Sequence, residues 1–293
     1  MPSMPPDQQT TASPRCAALP FFLDTPRGPL FCLHRKPATA EPRGNVLFIP
    51  AFNEEMNRCR SMLTLQAESL AAQGFGSLVI DLHGTGDSAG EYVDARWSHW
   101  LADIRLASNW LEAQPGGCIA HLGIRLGAML AAAAAPTAPE RTKRLLLWQP
   151  VVDGKQHFTQ FLRVKMAAQM DRPDLPKETT GTMRAQLAAG TPVEIGGYEI
   201  HPEFAQALDD AKLARLPPRA GTQVLWLEQP PPGTTELAPP SLAAQQAWRD
   251  GGVDCTWQSF EGPSFWQQYE RVLAPAAIEA TTAWLLATEK NLS

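Results

Sequence analysis

The sequence is short of the features that mark several common protein classes. Its longest apolar stretch, residues 128–135, falls well below the roughly 20 residues a membrane-spanning helix needs. No run of Lys and Arg interleaved with aromatics occurs, and 25 basic side chains stand against 30 acidic ones, so nucleic acid is excluded as the expected partner. The five cysteines (Cys16, Cys32, Cys59, Cys118 and Cys255) are odd in number, dispersed and free of any Cys-x-x-Cys pair. That pattern suggests neither a disulfide framework nor a zinc site. No Asp or Glu stands at ligand spacing from His157 or His201, and no metal or other cofactor is expected. Residues 1–14 are polar and proline-rich without an apolar signal core, which predicts a cytoplasmic protein with no membrane span and a loose tail over residues 1–18.

What is present is an alternation of short apolar runs and helical patterns. Residues 21–23 and 30–33, joined through Pro26-Arg27-Gly28-Pro29, predict an opening β-hairpin. Buried strands are predicted at 46–49, 77–82, 118–122, 144–148, 224–227 and 253–260, with helices between them and a last helix over 276–288. Strands alternating with helices of this length give an α/β protein, a mostly parallel sheet with helices on both faces. Residues 153–216 break the rhythm with helical patterns and polar loops. The expected organisation is therefore a core over 19–152 and 217–293, interrupted by a helical cap or lid over 153–216.

One strand-to-helix junction stands out. The run 118–122 leads into Gly123-Ile124-Arg125-Leu126-Gly127 and then an alanine-rich helix. Two glycines around a tight turn allow close backbone approach and push the central side chain into a cleft. Hydrolases that use Gly-x-Ser-x-Gly place a serine there. Here the residue is Arg125, a guanidinium that stays protonated and serves neither as nucleophile nor as ready proton acceptor.

Several runs resemble one family in detail. Ala51-Phe52-Asn53-Glu54-Glu55-Met56-Asn57, Asp81-Leu82-His83-Gly84-Thr85-Gly86-Asp87-Ser88-Ala89-Gly90, Asp94-Ala95-Arg96-Trp97, Gly123-Ile124-Arg125-Leu126-Gly127-Ala128, Leu147-Trp148-Gln149-Pro150 and Gln160-Phe161-Leu162-Arg163 are similar to the exosortase A system-associated hydrolase 2 family. Gly262-Pro263-Ser264-Phe265-Trp266 looks like its Gly-Pro-Pro-Phe-Trp run, with Ser264 for one proline, and His83 stands where the family carries tyrosine. The resemblance extends from about residue 19 to residue 288 and includes the arginine elbow. It implies an α/β-hydrolase fold and a place beside PEP-CTERM protein sorting and exopolysaccharide production in bacteria.

On that fold, serine hydrolysis requires a nucleophile at the elbow, then an acid, then a histidine after the last strand. Arg125 fails the first requirement, and the last histidine of the chain is His201. Glu228 follows the 224–227 strand near the usual acid position but has no histidine to orient. The anion-binding half of the machinery is still expected: backbone N–H groups of Leu126 and of Phe52 or Asn53, the helix N-terminus at Leu126, and the bidentate fork of Arg125. Alternatively Glu54 or Glu55 holds Arg125 in an internal ion pair, and the two arrangements are compatible.

Other catalytic candidates are Glu54, His83 at the end of the Asp81 strand, and Ser88, whose turn is more simply read as loop geometry. Glu55, Trp148 and Trp266 are expected to line the pocket. Cys59, His99 and His121 read as ordinary core or surface residues. Two functions follow: a hydrolase of an ester, thioester or other acyl substrate with a non-triad site, or a catalytically inactive hydrolase fold that binds an anionic metabolite or a partner protein. Oligomeric state is not legible.

Overall fold

A computed structural model describes residues 17–170 and 178–289. The expected tail over 1–18 therefore lies almost wholly outside the described residues, as does Cys16. The main sheet contains β1 (Ala18–Leu23), β2 (Leu30–Arg35), β3 (Gly44–Ile49), β4 (Phe75–Ile80), β5 (Cys118–Ile124) and β6 (Arg144–Trp148). After an insertion carrying the small hairpin β7 (Val193–Ile195) and β8 (Tyr198–Ile200), it resumes with β9 (Gln223–Leu227) and β10 (Asp254–Gln258). The eight strands are ordered β1-β2-β4-β3-β5-β6-β9-β10. The first two join antiparallel, and every pair from β4 to β10 is parallel.

The parallel strands are apolar at nearly every position because both faces are covered. Along β3, Val46 and Phe48 face one core and Leu47 and Ile49 the other. Helices α1 (Glu54–Ala72) and α8 (Pro275–Glu289) cover the first of these faces. Helices α2 (Trp97–Glu112), α3 (Leu126–Ala134) and α7 (Pro239–Asp250) cover the second. The segment between β6 and β9 adds no strand to the main sheet. It holds α4 (Gly154–Met170), α5 (Thr180–Ala188) and α6 (Pro202–Asp210), packed on one another, and its two ends meet where Asp153 bridges Lys212.

Three non-glycine residues among those described have positive φ: Asn53, Arg125 and Gln149. Arg125 and Gln149 directly follow β5 and β6, and Asn53 lies four residues beyond the end of β3. Strain of this kind costs about 1–3 kcal/mol per residue and persists where surrounding structure enforces it. Open parallel sheets bind ligands along their carboxyl edge, and that edge is where all three residues lie.

Candidate functional site

The elbow is built as its glycines require. A Cβ on Gly123 would lie 2.3 Å from the Gly127 carbonyl oxygen, and one on Gly127 would lie 2.3 Å from that of Pro50. Arg125, at φ 56° and ψ −118°, caps the N-terminus of α3. Its N–H donates to the Trp148 carbonyl at 3.0 Å and its own carbonyl accepts from Val151 at 3.2 Å. Asn53 has nearly the same backbone, φ 51° and ψ −126°, at the start of α1. Two matching kinks therefore deliver Arg125 and the Asn53-Glu54-Glu55 segment to one cavity of about 270 Å³.

Glu55 is the partner of Arg125. Nε donates to both carboxylate oxygens at 3.1 and 3.3 Å, and Nη1 donates to the Gln149 carbonyl at 3.2 Å. Nη2 has no hydrogen-bond partner among the described residues. Burial raises the Glu55 carboxyl above its ordinary value, and the charge and hydrogen bonds of Arg125 oppose that shift. Glu54 instead accepts from the Tyr198 hydroxyl at 2.9 Å. The guanidinium of Arg125 also lies 5.5 Å from the ring centre of Trp266, within cation–π reach. Trp266 comes from the loop after the last strand, the chain position where a triad histidine would sit.

The other expected residues divide clearly. Phe52, Asn53, Glu54 and Glu55 line the cavity with Arg125. Leu126 is buried and is not on the wall; as the first residue of α3 its N–H has no partner within the helix. Trp148 and Trp266, expected on the wall, are not among its lining residues: the Trp148 ring lies in the core, with Nε1 donating to Thr281 at 2.8 Å, because β6 is covered on both faces, and Trp266 is buried with its ring against Arg125. His83 does not reach this cavity. Its backbone N–H donates to Asp103, its carbonyl accepts from Trp100, and burial lowers its imidazole pKa. Ser88 is committed to its loop, donating to the Asp81 carbonyl at 2.5 Å and accepting from Phe31 N–H at 2.9 Å. Glu228 accepts from Trp226 at 2.6 Å and Ser241 at 2.9 Å, and burial raises its pKa.

Sequence reasoning weighed His157 only as a metal ligand and left out Arg58 and Tyr198; all three are on the cavity wall. His157 packs its ring 5.7 Å from that of Phe52. Burial, reinforced by the positive charge of Arg125, pushes its pKa down to about 3, so it is neutral at neutral pH. Its spacing from Phe161 and Val164 on α4 was the available signal, since i, i+4 and i+7 share one helical face. Asn53 accepts from the Tyr92 hydroxyl through Oδ1 and leaves a buried Nδ2 without a partner. Beyond Asn53 and Tyr198 lies a second cavity of about 350 Å³ that reaches Ser88. The four cysteines among the described residues are buried and free, and burial raises the Cys59 thiol pKa. No cluster of three metal-ligating side chains and no helix long and apolar enough to cross a membrane occurs among them.

The eight-stranded order, the glycine-bounded elbow after β5 and the insertion after β6 define an α/β hydrolase. Residues 40–188 match the family described as serine aminopeptidase, S33, and the chain belongs to that family. No curated protein sequence matches it. Among solved structures it is similar to ferulic acid-bound Est1E from Butyrivibrio proteoclasticus, with a TM-score of 0.62 and 14% identity over 91% of this chain and 98% of that one. It is also similar to the α/β hydrolase GrgF from Penicillium sp. sh18, at a TM-score of 0.60 and 16% identity over 94% and 98% of the two chains. Mouse α/beta hydrolase domain-containing protein 10 matches at a TM-score of 0.57 and 17% identity over 94% of this chain and all of that one. At these identities the likeness is one of fold.

Proposed function

We propose that the protein is a hydrolase of an ester, thioester or other acyl bond that works without an acyl-serine, in the cytoplasm and in the exosortase and exopolysaccharide setting its motifs resemble. The observation that carries this reading is the Arg125–Glu55 pair at the elbow, with Nη2 of Arg125 left over beside a cavity. Residues 153–216 act as the cap over that cavity, contributing His157, Phe161 and Tyr198 to its wall.

In this scheme Arg125 Nη2 holds the acyl carbonyl oxygen. Water attacks the acyl carbon and passes a proton to Glu55, whose raised pKa suits it to the task. The negative charge that forms on the carbonyl oxygen lies against the guanidinium. Collapse expels the alcohol or thiol, which takes the proton back from Glu55, and leaves a carboxylic acid. The released carboxylate matches the fork of Arg125 in charge and shape.

The second reading is an inactive fold that binds an anionic metabolite. It is favoured by the engagement of Ser88 and Glu228 in structural hydrogen bonds, which leaves no triad component free. Steady-state turnover of p-nitrophenyl butyrate and of a butyryl thioester separates the two. Turnover abolished by both Arg125→Ala and Glu55→Gln supports the hydrolase, and turnover that survives Arg125→Ala refutes the site. Absence of turnover with retained carboxylate binding supports the inactive fold.

A further inference from the structure

Five large apolar side chains are exposed among the described residues, and two of them line the same cavity. Val164 is 49% exposed and Tyr269 is 91% exposed, and both lie on the cavity that contains Arg125. The other three, Leu19, Phe22 and Leu242, are on β1 and α7. Single exposed apolar residues need no explanation, but a pair on the rim of a cavity with a charged end does.

An apolar wall connects that charged end to the rim. Phe52 follows β3 next to the Asn53 kink, and its ring lies 5.2 Å from that of Phe161. Phe161 is three residues before Val164 on the same face of α4. Also on the cavity wall, the guanidinium of Arg58 lies 4.6 Å from the Tyr269 ring centre, and Arg58 Nη1 donates to the Gln267 carbonyl at 3.3 Å. Tyr269 is thus held at the rim by an identifiable contact. The cavity combines the Arg125 guanidinium, which can donate hydrogen bonds to an anion, with the apolar side chains of Phe52, Phe161 and Val164, and it also carries Arg58 and the carboxylates of Glu54 and Glu55.

We propose that this cavity recognises a medium-chain acyl group: a carboxylate or acyl carbonyl on Arg125 with an unbranched apolar tail of about six to eight carbons running past Phe161 to Val164 and Tyr269. The proposal rests on the Arg125 reading above for its head group and adds the class of tail. Tail length follows from volume. A cavity of about 270 Å³ compares with the roughly 150 Å³ that holds benzene and has room for a ligand of about ten heavy atoms such as octanoate.

The test is equilibrium binding of butyrate, hexanoate, octanoate and palmitate to the full chain by calorimetry, with octylamine as the oppositely charged control. Each buried methylene is expected to tighten binding roughly threefold to fourfold up to octanoate. Palmitate is expected to gain nothing further. Val164→Ser with Tyr269→Ser, both at exposed positions, is expected to flatten the dependence on chain length. Arg125→Met is expected to weaken the whole series tenfold or more.

Carboxylates that bind through Arg125 with no dependence on tail length would overturn the acyl-chain proposal and leave the Arg125 reading standing. Octylamine binding as tightly as octanoate, or octanoate binding that survives Arg125→Met, would overturn the head-group assignment. Failure of every carboxylate to bind would overturn both.

Discussion

Arg125 Nε lies 3.1 Å from Glu55 Oε1, so the residue at the tip of the elbow is secured by a carboxylate from the first turn of α1. Both side chains are mostly buried, at 15% and 18% exposure. The pair therefore fixes the direction of the guanidinium and joins two of the three kinks on the carboxyl edge of the sheet.

Removing Arg125 leaves Glu55 without its counter-charge. Arg125→Met is expected to cost roughly 2 kcal/mol at pH 7, less than the 3–5 of a fully buried pair because both groups keep some solvent. Adding Glu55→Gln should recover part of that loss. Urea midpoints for the two single variants and the double variant measure the coupling, and strict additivity would show that the pair contributes nothing to stability.

Restoring a serine does not restore a triad. Arg125→Ser is expected to show no pre-steady-state burst with p-nitrophenyl acetate, because Trp266 occupies the histidine loop and Glu228 is held by Trp226 and Ser241. A burst in this variant would show that Glu55 or His157, both on the cavity wall, activates the new hydroxyl without a triad.

The elbow glycines are expected to be intolerant of a methyl group. In Gly127→Ala the new Cβ would stand 2.3 Å from the Pro50 carbonyl oxygen and 2.4 Å from that of Ile49, and backbone has little room to yield. A loss of about 3 kcal/mol or more is expected, read as a lowered Tm or as insoluble expression. Gly190→Ala, where a Cβ meets nothing within 4 Å, is the comparison for crowding; its φ of +85° still carries backbone strain, so its cost is expected to be the smaller.

Acid should destabilise the fold through two buried imidazoles. Burial pushes His121 down to about 4 and His157 to about 3, both from an ordinary 6.5. Lowered values mean that the unfolded chain binds the extra protons: stability is full above pH 6.5 and falls as pH drops toward 4. Each imidazole contributes a slope of about 1.4 kcal/mol per pH unit in that window. Urea midpoints from pH 7 to 4.5 give the slope, and His157→Gln should remove about one proton from it. An unchanged slope would show that His157 titrates normally in the fold.

The alternation of apolar runs was enough to place the strands of the main sheet, since a sheet covered on both faces leaves long apolar segments, but the short hairpin of β7 and β8 inside the expected helical cap was not foreseen. The glycine spacing around Arg125 was enough to place the elbow. The choice between Glu54 and Glu55 was not legible, because it depends on the phase with which α1 leaves the Asn53 kink. Trp148 and Trp266 look alike as strand-edge aromatics, yet one is sealed beneath α8 and the other reaches Arg125. Gly262-Pro263 mark Trp266 as part of a loop beyond the last strand, but nothing local says that this loop turns back onto Arg125. The place of His157 on the cavity wall was missed because residues far apart in the chain meet only once the insertion folds back over the sheet edge.

Gly123, Gly127 and the carbonyls of Ile49, Pro50 and Trp148 shape the turn at residue 125 entirely through backbone. None of these contacts involves the side chain that the turn displays. The elbow therefore works as a socket whose fitting can be exchanged by a single codon: the same strained geometry that can aim a bond-forming hydroxyl here aims a fixed positive charge. A lineage could thus alter what this cleft attracts while the scaffold beneath it stays as it was.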